Sequence, residues 1–353
     1  MKLGVVTTSY PRFVGDPAGN FVAGHVEALR ALGHEVDVFA AGTGRLDRTL
    51  FYRGGAPDLI ERALVRGVLA GAAFTAQLTA AVAVRAPAWD LIIAHWLVPS
   101  AIAALPARAP LLAIAHGGDI HTLRRMGLLA PVLLALRLRR ARLVFVSEGL
   151  RAIARAAAPG LSRWLDDALV QPMGIAVARF RSLARVPTDP PTIVTASRLV
   201  PIKGIDVAIA AMAHVRSAAR LVIAGDGPER AALTATTESS RIAFLGEVDT
   251  ARRDRLLREA RVVVVPSRVL PSGRTEGTPM IALEALAAGV PVVASAVGGL
   301  RDLGALSLVP PDDPRALAAA IDRAIANPPT AETLRQCVAH LDWHRVAARL
   351  MAT

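Results

Sequence analysis

Short apolar runs alternate with longer helical patterns along the whole 353-residue chain, and this alternation constrains the fold more than any other feature. In the first half the runs are KLGVVTTS, HEVDVFA, DLIIAHW, PLLAIAHG and RLVFVSEG. In the second half they are PTIVTASR, ARLVIAGDG, RIAFLGEV, RVVVVPSR, VPVVASAVGG and LSLVPPDD. Continuously apolar strands separated by helices are typical of parallel sheets that are covered on both faces. The sequence therefore predicts an α/β protein with two doubly wound, Rossmann-like domains.

The segment ARFRSLARVPTDPP separates the two halves, because Pro187, Pro190 and Pro191 interrupt regular structure and the strand pattern restarts at Thr192. We expect an N-terminal domain over residues 1–180, a linker over 181–190 and a C-terminal domain over 191–334. The amphipathic end of the chain, about residues 335–353, is expected to pack back on the N-terminal domain. Doubly wound domains bind ligands at the carboxyl ends of their strands, so candidate site residues are sought there.

Charge and cysteine content narrow the partners and the compartment. The net charge of +12 favours an anionic partner, which is nucleic acid, phospholipid or a phosphorylated small molecule. The single cysteine, Cys337, cannot form an intramolecular disulfide, and no signal-peptide pattern precedes the first strand, so we expect a cytoplasmic protein. The uncharged stretch 67–84 is rich in Gly, Ala, Thr and Gln, and it is predicted to be a buried helix rather than a membrane span.

The segment RTEGTPMIALEALAAGVPVVAS contains two glutamates in an otherwise mainly apolar or small sequence. Thr278 and Pro279 predict a helix that starts at Pro279 with Thr278 as its cap, and Gly289 predicts its end. Glu276 then lies in the loop before the helix, and Glu284 lies in its second turn, where burial would require a polar partner. The alternative is an exposed Glu284. Their separation makes a glycosidase acid/base pair doubtful, so two contacts to one ligand are favoured, with phosphate at the helix N-terminus.

Two cations follow the first strand of the second half, in SRLVPIKG. Arg198 offers a planar fork and Lys203 a compact charge, and both suit phosphate oxygens. Lys2 and Lys203 are the only lysines among 41 basic residues, which favours a specific role for Lys203. Solvated loop cations are the alternative interpretation of both residues.

In the first half, Gly15 and Gly19 lie between a strand and a helix, where glycine lets backbone amides approach a ligand. His116 follows the strand in AIAHGGDIHT. Its position fits a functional residue and a structural histidine equally well. His116 and His121 are separated by a glycine turn and lack a clear third ligand, so no metal site is predicted.

A basic and apolar segment, TLRRMGLLAPVLLALRLRRARLVFV, follows in the same half. Such a segment can rest on anionic lipid, and the alternative is an ordinary helix with a basic solvated side. Its cations are Arg124, Arg125, Arg137, Arg139, Arg140 and Arg142.

These segments together resemble the retaining glycosyltransferases of family 4, also called group 1, which have the GT-B fold. The resemblance spans almost the whole chain through GHEVDVFA, HGGDI, FVSEGLR, PMGIAVARF, SRLVPIKG, AGDGPER, FLGEV, EGTPMIALEALAAGVPVVAS and VGGLRDL. The spacings Arg-x4-Lys-Gly and Glu-x7-Glu are its most specific parts. The resemblance implies two Rossmann-like domains that face each other across a cleft.

The resemblance also implies an activity. The enzyme would transfer a hexose from a UDP- or GDP-sugar to a hydroxyl acceptor with retention, by front-face substitution and without a metal or other cofactor. The basic amphipathic segment, rather than the resemblance, favours a lipid-linked or cell-surface glycan intermediate of polysaccharide biosynthesis as the acceptor. It also favours a cytoplasmic protein that is peripheral on the inner face of the cytoplasmic membrane.

Catalytic roles carried over from the family fall on four residues. Arg198 and Lys203 would bind the donor diphosphate and neutralise it as it leaves. Glu276 would lie beside the donor sugar, and His116 would contact that sugar from the acceptor-side domain.

Donor-binding roles fall on five further residues. Glu284 would hold the ribose, and Gly19 would approach the diphosphate. The amides near Gly277 and Thr278 would lie close to sugar and phosphate, and the segment around Val248 would meet the base through its backbone.

Three departures from the family pattern leave the donor sugar and the acceptor open. They are Gly-Asn in the first glycine-rich loop, the long loop RVLPSGRTEG, and Glu-Gly-Thr-Pro where a larger third residue is common. Two alternatives remain, which are an epimerase or phosphorylase of the same fold and a non-enzymatic nucleic-acid-binding protein. Because the arginines are not interleaved with aromatic residues, no nucleic-acid partner is expected.

Overall fold

The structure, a computed structural model, describes residues 1–13, 16, 19–41, 64–237, 239–304 and 306–352, without the side chains of residues 64–66. Gly15 lies outside the described residues. The chain divides into two compact units. The first comprises Met1–Gly174 and Trp343–Thr353, and the second comprises Ile175–Asp342.

The sheet of the first unit is parallel in all its described strand pairs. Its strands are β1 (Lys2–Val6), β2 (Glu35–Phe39), β3 (Leu91–His95), β4 (Leu111–Ala115), β5 (Arg142–Phe145) and β6 (Leu169–Val170), in the order β2-β1-β3-β4-β5-β6. Every residue of β3 and β4 is buried, because helices cover both faces of these central strands. The helices are α1 (Asn20–Ala31), α2 (Leu64–Arg85), α3 (Ile102–Ala104), α4 (Gly118–Arg125), α5 (Leu129–Leu138), α6 (Glu148–Ala157) and α7 (Ser162–Asp166).

The second unit repeats this architecture. Its strands are β7 (Thr192–Ala196), β8 (Arg220–Ala224), β9 (Ile242–Gly246), β10 (Ala260–Val265), β11 (Val292–Ser295) and β12 (Ser307–Val309), in the order β12-β11-β10-β7-β8-β9. The helices are α8 (Val177–Arg181), α9 (Ile205–Ala211), α10 (Arg230–Ala235), α11 (Thr250–Glu259), α12 (Met280–Ala287), α13 (Pro314–Ala326) and α14 (Ala331–Val338), after which α15 (Trp343–Ala352) returns to the first unit.

Alternation along the strands builds two apolar clusters in the second unit. Val263 and Val265 of β10 lie in the cluster that contains α12, and Val262 and Val264 lie in the cluster that contains α13. The chain winds outward in both directions from β7 and β10, so the sequence order of the strands reverses between these two neighbours. Ligands of doubly wound sheets bind at this reversal, outside the carboxyl ends of the strands.

The predicted fold class is confirmed, and each of the strands predicted from an apolar run is present. The two-residue strand β6 was not predicted. The C-terminus of β7 at Ala196 agrees with the sequence pattern, in which the polar residues begin directly after it.

The division into units differs from the expected boundaries at both crossings. Phe180 of α8 is buried in the core of the second unit, and Arg185 donates hydrogen bonds to the carbonyls of Gly289 and Ala260. Residues 175–190 therefore belong to the second unit, whereas 181–190 was expected to be a linker. The returning segment begins at Trp343 rather than near residue 335, because Leu334 and the rest of α14 pack in the second unit.

Residues 67–84 form most of α2, but the prediction of a buried helix holds for one face alone. Phe74, Leu78 and Val82 are buried, whereas Leu69 and Val84 on the other side are exposed. By length and composition, Gly67–Ala88 is apolar enough to cross a membrane. The buried stripe at i, i+4 and i+8 is the pattern of a helix that packs on a protein core.

Candidate functional site

The loops that follow β7 and β10 meet where the strand order of the second unit reverses. Lys203 lies in the first loop and Glu276 in the second, and Lys203 Nζ is 2.6 Å from Glu276 Oε1. The two side chains keep 22% and 12% of their surface exposed, so the ion pair is partly desolvated and open on one side. Its position at the strand reversal makes it the centre of the candidate site.

Two glycines allow these loops to approach closely. Gly204, directly after Lys203, has φ +60°, and a Cβ there would lie 2.0 Å from the carbonyl oxygen of Pro266. Gly298, in the turn after β11, has φ +49°, and a Cβ there would lie 1.9 Å from the carbonyl oxygen of Glu276. Any other residue at either position would push the loops apart, because both the space and the backbone conformation require glycine.

Arg198 adds a second cation beside the ion pair. Its pKa is lowered from the ordinary arginine value, first by desolvation and then by the nearby charge of Arg274, whereas Glu276 acts in the opposite direction. Arg198, Lys203, Arg274 and Glu276 together carry three positive charges and one negative charge. The net positive charge of this group favours an anionic ligand.

The N-terminus of α12 adjoins the same loop. The helix begins at Met280 with Pro279 as its N-cap residue, so the prediction that Thr278 caps a helix starting at Pro279 is wrong. Pro279 has φ −61° but an extended ψ of 121°, which delays the first helical turn by one residue. No side chain within the described part of the chain caps this end, so the first amides of the helix are open to a ligand. Gly277 is held in place through its carbonyl, which accepts a hydrogen bond of 3.0 Å from Gly299 N.

Glu284 lies one helical turn further along and is buried, with 6% of the residue exposed, so the alternative of an exposed glutamate is wrong. Its polar partner is Arg253 of α11, whose Nη1 is 3.0 Å from Glu284 Oε1. Burial raises the pKa of Glu284 above its ordinary value, while the charges of Arg253 and Arg179 act against that rise. The carboxylate therefore depends on Arg253 to stay ionised in the core.

The two glutamates do not share a partner, since Glu276 pairs with Lys203 and Glu284 pairs with Arg253. That the two glutamates hold different parts of one ligand stays a prediction. Val248 follows β9 and packs, half-buried, against the apolar cluster that contains α12. No hydrogen bond or ion pair joins Val248 to the charged loops among the described residues.

In the first unit, His116 directly follows β4, and Asp119 holds the turn after it. The buried carboxylate of Asp119 accepts hydrogen bonds from the amides of His116, Gly117, Ile120 and Leu97 at 2.7–3.2 Å. Burial raises the pKa of Asp119, and these four amides act against that rise. The carboxylate therefore fixes the loops after β3 and β4 and, with them, the backbone of His116.

Gly19 is the N-cap residue of α1 and has φ +68°. A Cβ on Gly19 would lie 2.4 Å from the carbonyl oxygen of Ser9, in the loop after β1. Among the described residues no side chain caps this helix, and Gly19 brings its N-terminus against the loop after the first strand.

Two family models match the chain on either side of the unit boundary. The model described as Glycosyltransferase Family 4 matches residues 18–160, and the model described as Glycosyl transferases group 1 matches residues 190–327. A D-inositol 3-phosphate glycosyltransferase from Acidothermus cellulolyticus is 30% identical over 384 residues, which cover 92% of this chain and 82% of that protein. The chain belongs to the group 1 glycosyltransferases.

Another relative of this glycosyltransferase, an uncharacterised glycosyltransferase from Methanocaldococcus jannaschii, is 36% identical over 158 residues. That match covers 42% of this chain and 39% of the archaeal protein, so less than half of either chain is compared. The crystal structure of HepE from Anabaena in complex with UDP-glucose superimposes with a TM-score of 0.69 and 19% identity, over all of this chain and 98% of HepE. The predicted GT-B fold is thereby confirmed.

The structure of the glycosyltransferase brings Arg198, Lys203, Glu276, Gly277 and Thr278 together around one strand reversal. Gly19 and His116 lie in the other unit, at the carboxyl ends of β1 and β4.

Sequence reasoning missed Arg253, the partner of Glu284, because nothing distinguishes it within the arginine-rich helix TARRDRLLRE. It also missed His25 and His95. His25 contacts His95, and His95 contacts His116. The one available signal was that His95 ends an apolar strand.

Proposed function

We propose that this glycosyltransferase transfers a hexose from a nucleoside diphosphate sugar to a hydroxyl acceptor, with retention at the anomeric carbon and without a metal. The observation that carries the proposal is the ion pair of Lys203 and Glu276 at the strand reversal, with Arg198 beside it. It gives the site a cationic side for a leaving diphosphate and a carboxylate for the sugar that is attached to it.

The donor is a UDP- or GDP-sugar in this proposal. Arg198 and Lys203 bind the two phosphates, since a guanidinium fork and an ammonium both pair with phosphate oxygens. The amides around Gly277 and Thr278 and the N-terminus of α12 donate to the same group. The crystal structure of HepE in complex with UDP-glucose, which has the same fold, supports this class of donor.

The nucleoside is held by Glu284, in this proposal through the ribose hydroxyls. An ionised carboxylate accepts two hydroxyl hydrogen bonds, and Arg253 at 3.0 Å favours the ionised form. Val248, just beyond the end of β9, meets the base through its backbone.

The reaction is a front-face substitution. The bond between the anomeric carbon and the diphosphate oxygen breaks, and the diphosphate leaves with the electron pair. The acceptor oxygen attacks the oxocarbenium-like sugar on the same face, and its proton passes to the leaving phosphate oxygen. Arg198 and Lys203 stabilise the charge that develops on the diphosphate, and preorganised cations of this kind contribute strongly to catalysis.

His116 and Gly19 of the first unit are further donor-binding residues in this proposal. His116 contacts the sugar, and the open N-terminus of α1 at Gly19 approaches the diphosphate. When the diphosphate binds Lys203, it displaces the carboxylate of Glu276, which then contacts the sugar as well.

The acceptor is a lipid-linked or cell-surface glycan intermediate, and the protein is a cytoplasmic one that rests on the inner face of the membrane. Support comes from a basic apolar surface on α4, α5 and the turns that follow them, whose exposed residues are Arg124, Arg125, Leu128, Leu134, Arg137, Leu138 and Arg140. Exposed leucines beside arginines favour contact with anionic lipid. Arg139 is not part of this surface, because it donates hydrogen bonds to the carbonyls of Leu105, Ala107 and Ala109, and Arg142 is half-buried at the start of β5.

A thermal-shift panel of nucleoside diphosphates and their sugars tests the donor. We expect a nucleoside diphosphate and its sugar to raise the midpoint temperature of unfolding in the presence of EDTA. In a separate reaction with an added acceptor, we expect the product to keep the anomeric configuration of the donor. Epimerisation, or phosphorolysis by inorganic phosphate, without an acceptor would favour the same-fold alternatives. Salt-dependent DNA binding without a response to any nucleotide would overturn the proposal.

Vesicle sedimentation tests the basic apolar surface. We expect binding to vesicles that contain phosphatidylglycerol and no binding to pure phosphatidylcholine. Changing Leu134 and Leu138 to Glu should abolish binding, whereas changing Arg315 and Arg323 of α13 in the other unit to Glu should not. Equal loss in both double variants would show that net charge alone, rather than this surface, carries the effect.

A further inference from the structure

Three histidine rings of the first unit form a continuous hydrogen-bonded chain. His25 belongs to α1, His95 is the last residue of β3, and His116 directly follows β4. His25 Nδ1 lies 3.1 Å from His95 Nε2, and His95 Nδ1 lies 3.0 Å from His116 Nε2. Each facing pair of nitrogens is therefore joined by one shared proton.

The inner part of the chain is sealed from water. His25 and His95 have no exposed surface, and the ring of His25 is stacked on Trp343 at 5.4 Å with an interplanar angle of 7°. Phe21 lies against His95 and His116 at 6.1 and 5.1 Å between ring centroids. Removal from water disfavours a charged ring at these positions.

All three rings are consequently neutral near pH 7. Burial lowers the pKa of His25 to about 4 and that of His116 to about 3, and it lowers the pKa of His95 well below its ordinary value. A neutral imidazole carries one N–H and one bare nitrogen. A chain of three neutral rings therefore has two arrangements, in which all protons point outward toward His116 or all point inward toward His25.

The inner end distinguishes these two arrangements. His25 Nε2 is buried and has no hydrogen-bond partner among the described residues. In the inward arrangement this atom would carry a proton, which leaves a buried N–H donor without an acceptor. In protein backbones, buried N–H donors without a partner are rarer than under-satisfied acceptors, and we apply the same preference to this ring nitrogen. The outward arrangement leaves a bare nitrogen there instead, with protons on Nδ1 of His25, His95 and His116.

We propose that His25 and His95 are positioning residues that hold His116 as the neutral tautomer with its proton on Nδ1, so that His116 presents a hydrogen-bond donor to its ligand. The ligand group is an oxygen, a hydroxyl of the transferred sugar, and this part rests on the proposed function. An N–H group at His116 Nδ1 selects a sugar that has an oxygen within hydrogen-bond distance. Because Nδ1 already carries a proton, this nitrogen cannot act as a general base for the incoming hydroxyl.

Nitrogen-15 spectra of the full chain, labelled at histidine and free of ligand, test the proposal. Long-range proton–nitrogen correlations distinguish a protonated from a bare ring nitrogen. We expect His116 to show a protonated Nδ1 and a bare Nε2 at pH 7.5. A proton on His116 Nε2, or a fast mixture of both tautomers in the wild-type protein, would overturn the proposal.

Variants at His25 test the coupling along the chain. His25→Phe keeps a ring against Trp343 but removes the donor to His95, so we expect the His116 signals to move toward a tautomer mixture. His25→Asn places an amide N–H near the former Nδ1 and should restore the wild-type signals, which a merely structural role for His25 would not predict. His214→Phe, at an exposed histidine of the other unit, is the matched control. Unchanged His116 signals in a folded His25→Phe variant would contradict the coupling. If that variant does not fold, the spectra of the wild type and of His25→Asn test the coupling instead.

The spectra need no substrate, so they separate this proposal from the proposed function. If a sugar nucleotide is a donor, His25→Phe should lower kcat/KM about tenfold, the effect of about 1.4 kcal/mol from one misdirected hydrogen bond. If the protein transfers sugar but His116 carries its proton on Nε2, the proposed tautomer is wrong and the proposed function stands. A protonated Nδ1 in a protein that transfers no sugar would overturn the function alone.

Discussion

Lys203 and Glu276 are 73 positions apart in the chain, yet Lys203 Nζ lies 2.6 Å from Glu276 Oε1. The contact exists because β7 and β10 are neighbours in the sheet, so the loops after them leave from the same edge. In the proposed function, a diphosphate would compete with the carboxylate of Glu276 for Lys203.

Lys203→Ala should lower kcat/KM for sugar transfer by about 10²- to 10³-fold, because one preorganised charge no longer stabilises the leaving diphosphate. Lys2→Ala is the matched control, since Lys2 is the only other lysine and pairs with Glu35 on the first unit. Steady-state kinetics with the identified donor provide the measurement, and circular dichroism checks that both variants are folded. Equal activity of the two variants would remove Lys203 from the mechanism.

Glu276→Gln should bind the nucleoside diphosphate more tightly while transferring sugar more slowly. The amide no longer competes for Lys203, and about 1 kcal/mol of relieved competition corresponds to roughly fivefold in Kd. Calorimetric titration with the diphosphate measures the change, with Glu247→Gln at an exposed position of the same unit as control. Weaker binding would show that Glu276 assists the diphosphate instead.

Arg253→Met should destabilise the second unit by about 3 kcal/mol, because it leaves the buried carboxylate of Glu284 without its ion-pair partner. Adding Glu284→Gln should recover part of the loss, since an uncharged amide costs less to bury. Urea unfolding followed by far-ultraviolet circular dichroism measures both effects. Arg252→Met, at an exposed neighbour on α11, should change stability by less than about 0.5 kcal/mol.

The loss of stability caused by Arg253→Met should increase as the pH rises. The pKa of Glu284 is already raised above its ordinary value of 4.5, so the folded protein holds that proton more tightly than the unfolded chain. Its contribution to stability therefore falls as the pH rises from about 4.5 through the folded pKa. Removing Arg253 raises that pKa further, so the variant should lose more stability at pH 8 than at pH 5. A pH-independent difference would mean that Glu284 is not ionised opposite Arg253.

Stability of the first unit should fall on acidification in a way that depends on His25. The pKa of His25 is lowered to about 4, so between pH 6.5 and 4 the unfolded chain binds a proton that the folded unit does not. Stability is lost as the pH falls through this window, by about 2.5 kcal/mol for His25 at pH 4.5. His25→Phe should lack this part of the loss.

Tryptophan fluorescence measures this effect, because the four tryptophans, Trp89, Trp96, Trp164 and Trp343, all belong to the first unit. Urea unfolding of the wild type and of His25→Phe at pH 7 and pH 4.5 gives the difference directly. His214→Phe in the second unit should behave as the wild type. The same acid sensitivity in His25→Phe and wild type would show that His25 is protonated when folded.

Much of the fold was predictable because strand pairing leaves a strong local pattern. Strands such as β4 and β10 are apolar at nearly every position, and a covered parallel sheet is the structure that buries such runs. The short strand β6 has two half-buried residues and leaves no such pattern. The unit boundary was harder to locate, because the prolines near residue 190 mark irregular structure without marking the end of a unit. Phe180 and Arg185 precede these prolines, yet Phe180 packs in the second unit and Arg185 donates hydrogen bonds to it.

The amino-acid sequence by itself determined two Rossmann-like units and the position of Arg198, Lys203 and Glu276 at strand ends, because periodicity and turn chemistry are local. The tertiary structure alone decided the pairing of side chains. Arg253 meets Glu284, and His25 meets His95, because the rotation of α11 and α1 against their sheets selects one side chain among several on each helix. His95 meets His116 because the strands that precede them, β3 and β4, are paired. That selection depends on packing between segments far apart in the chain, which no local pattern records.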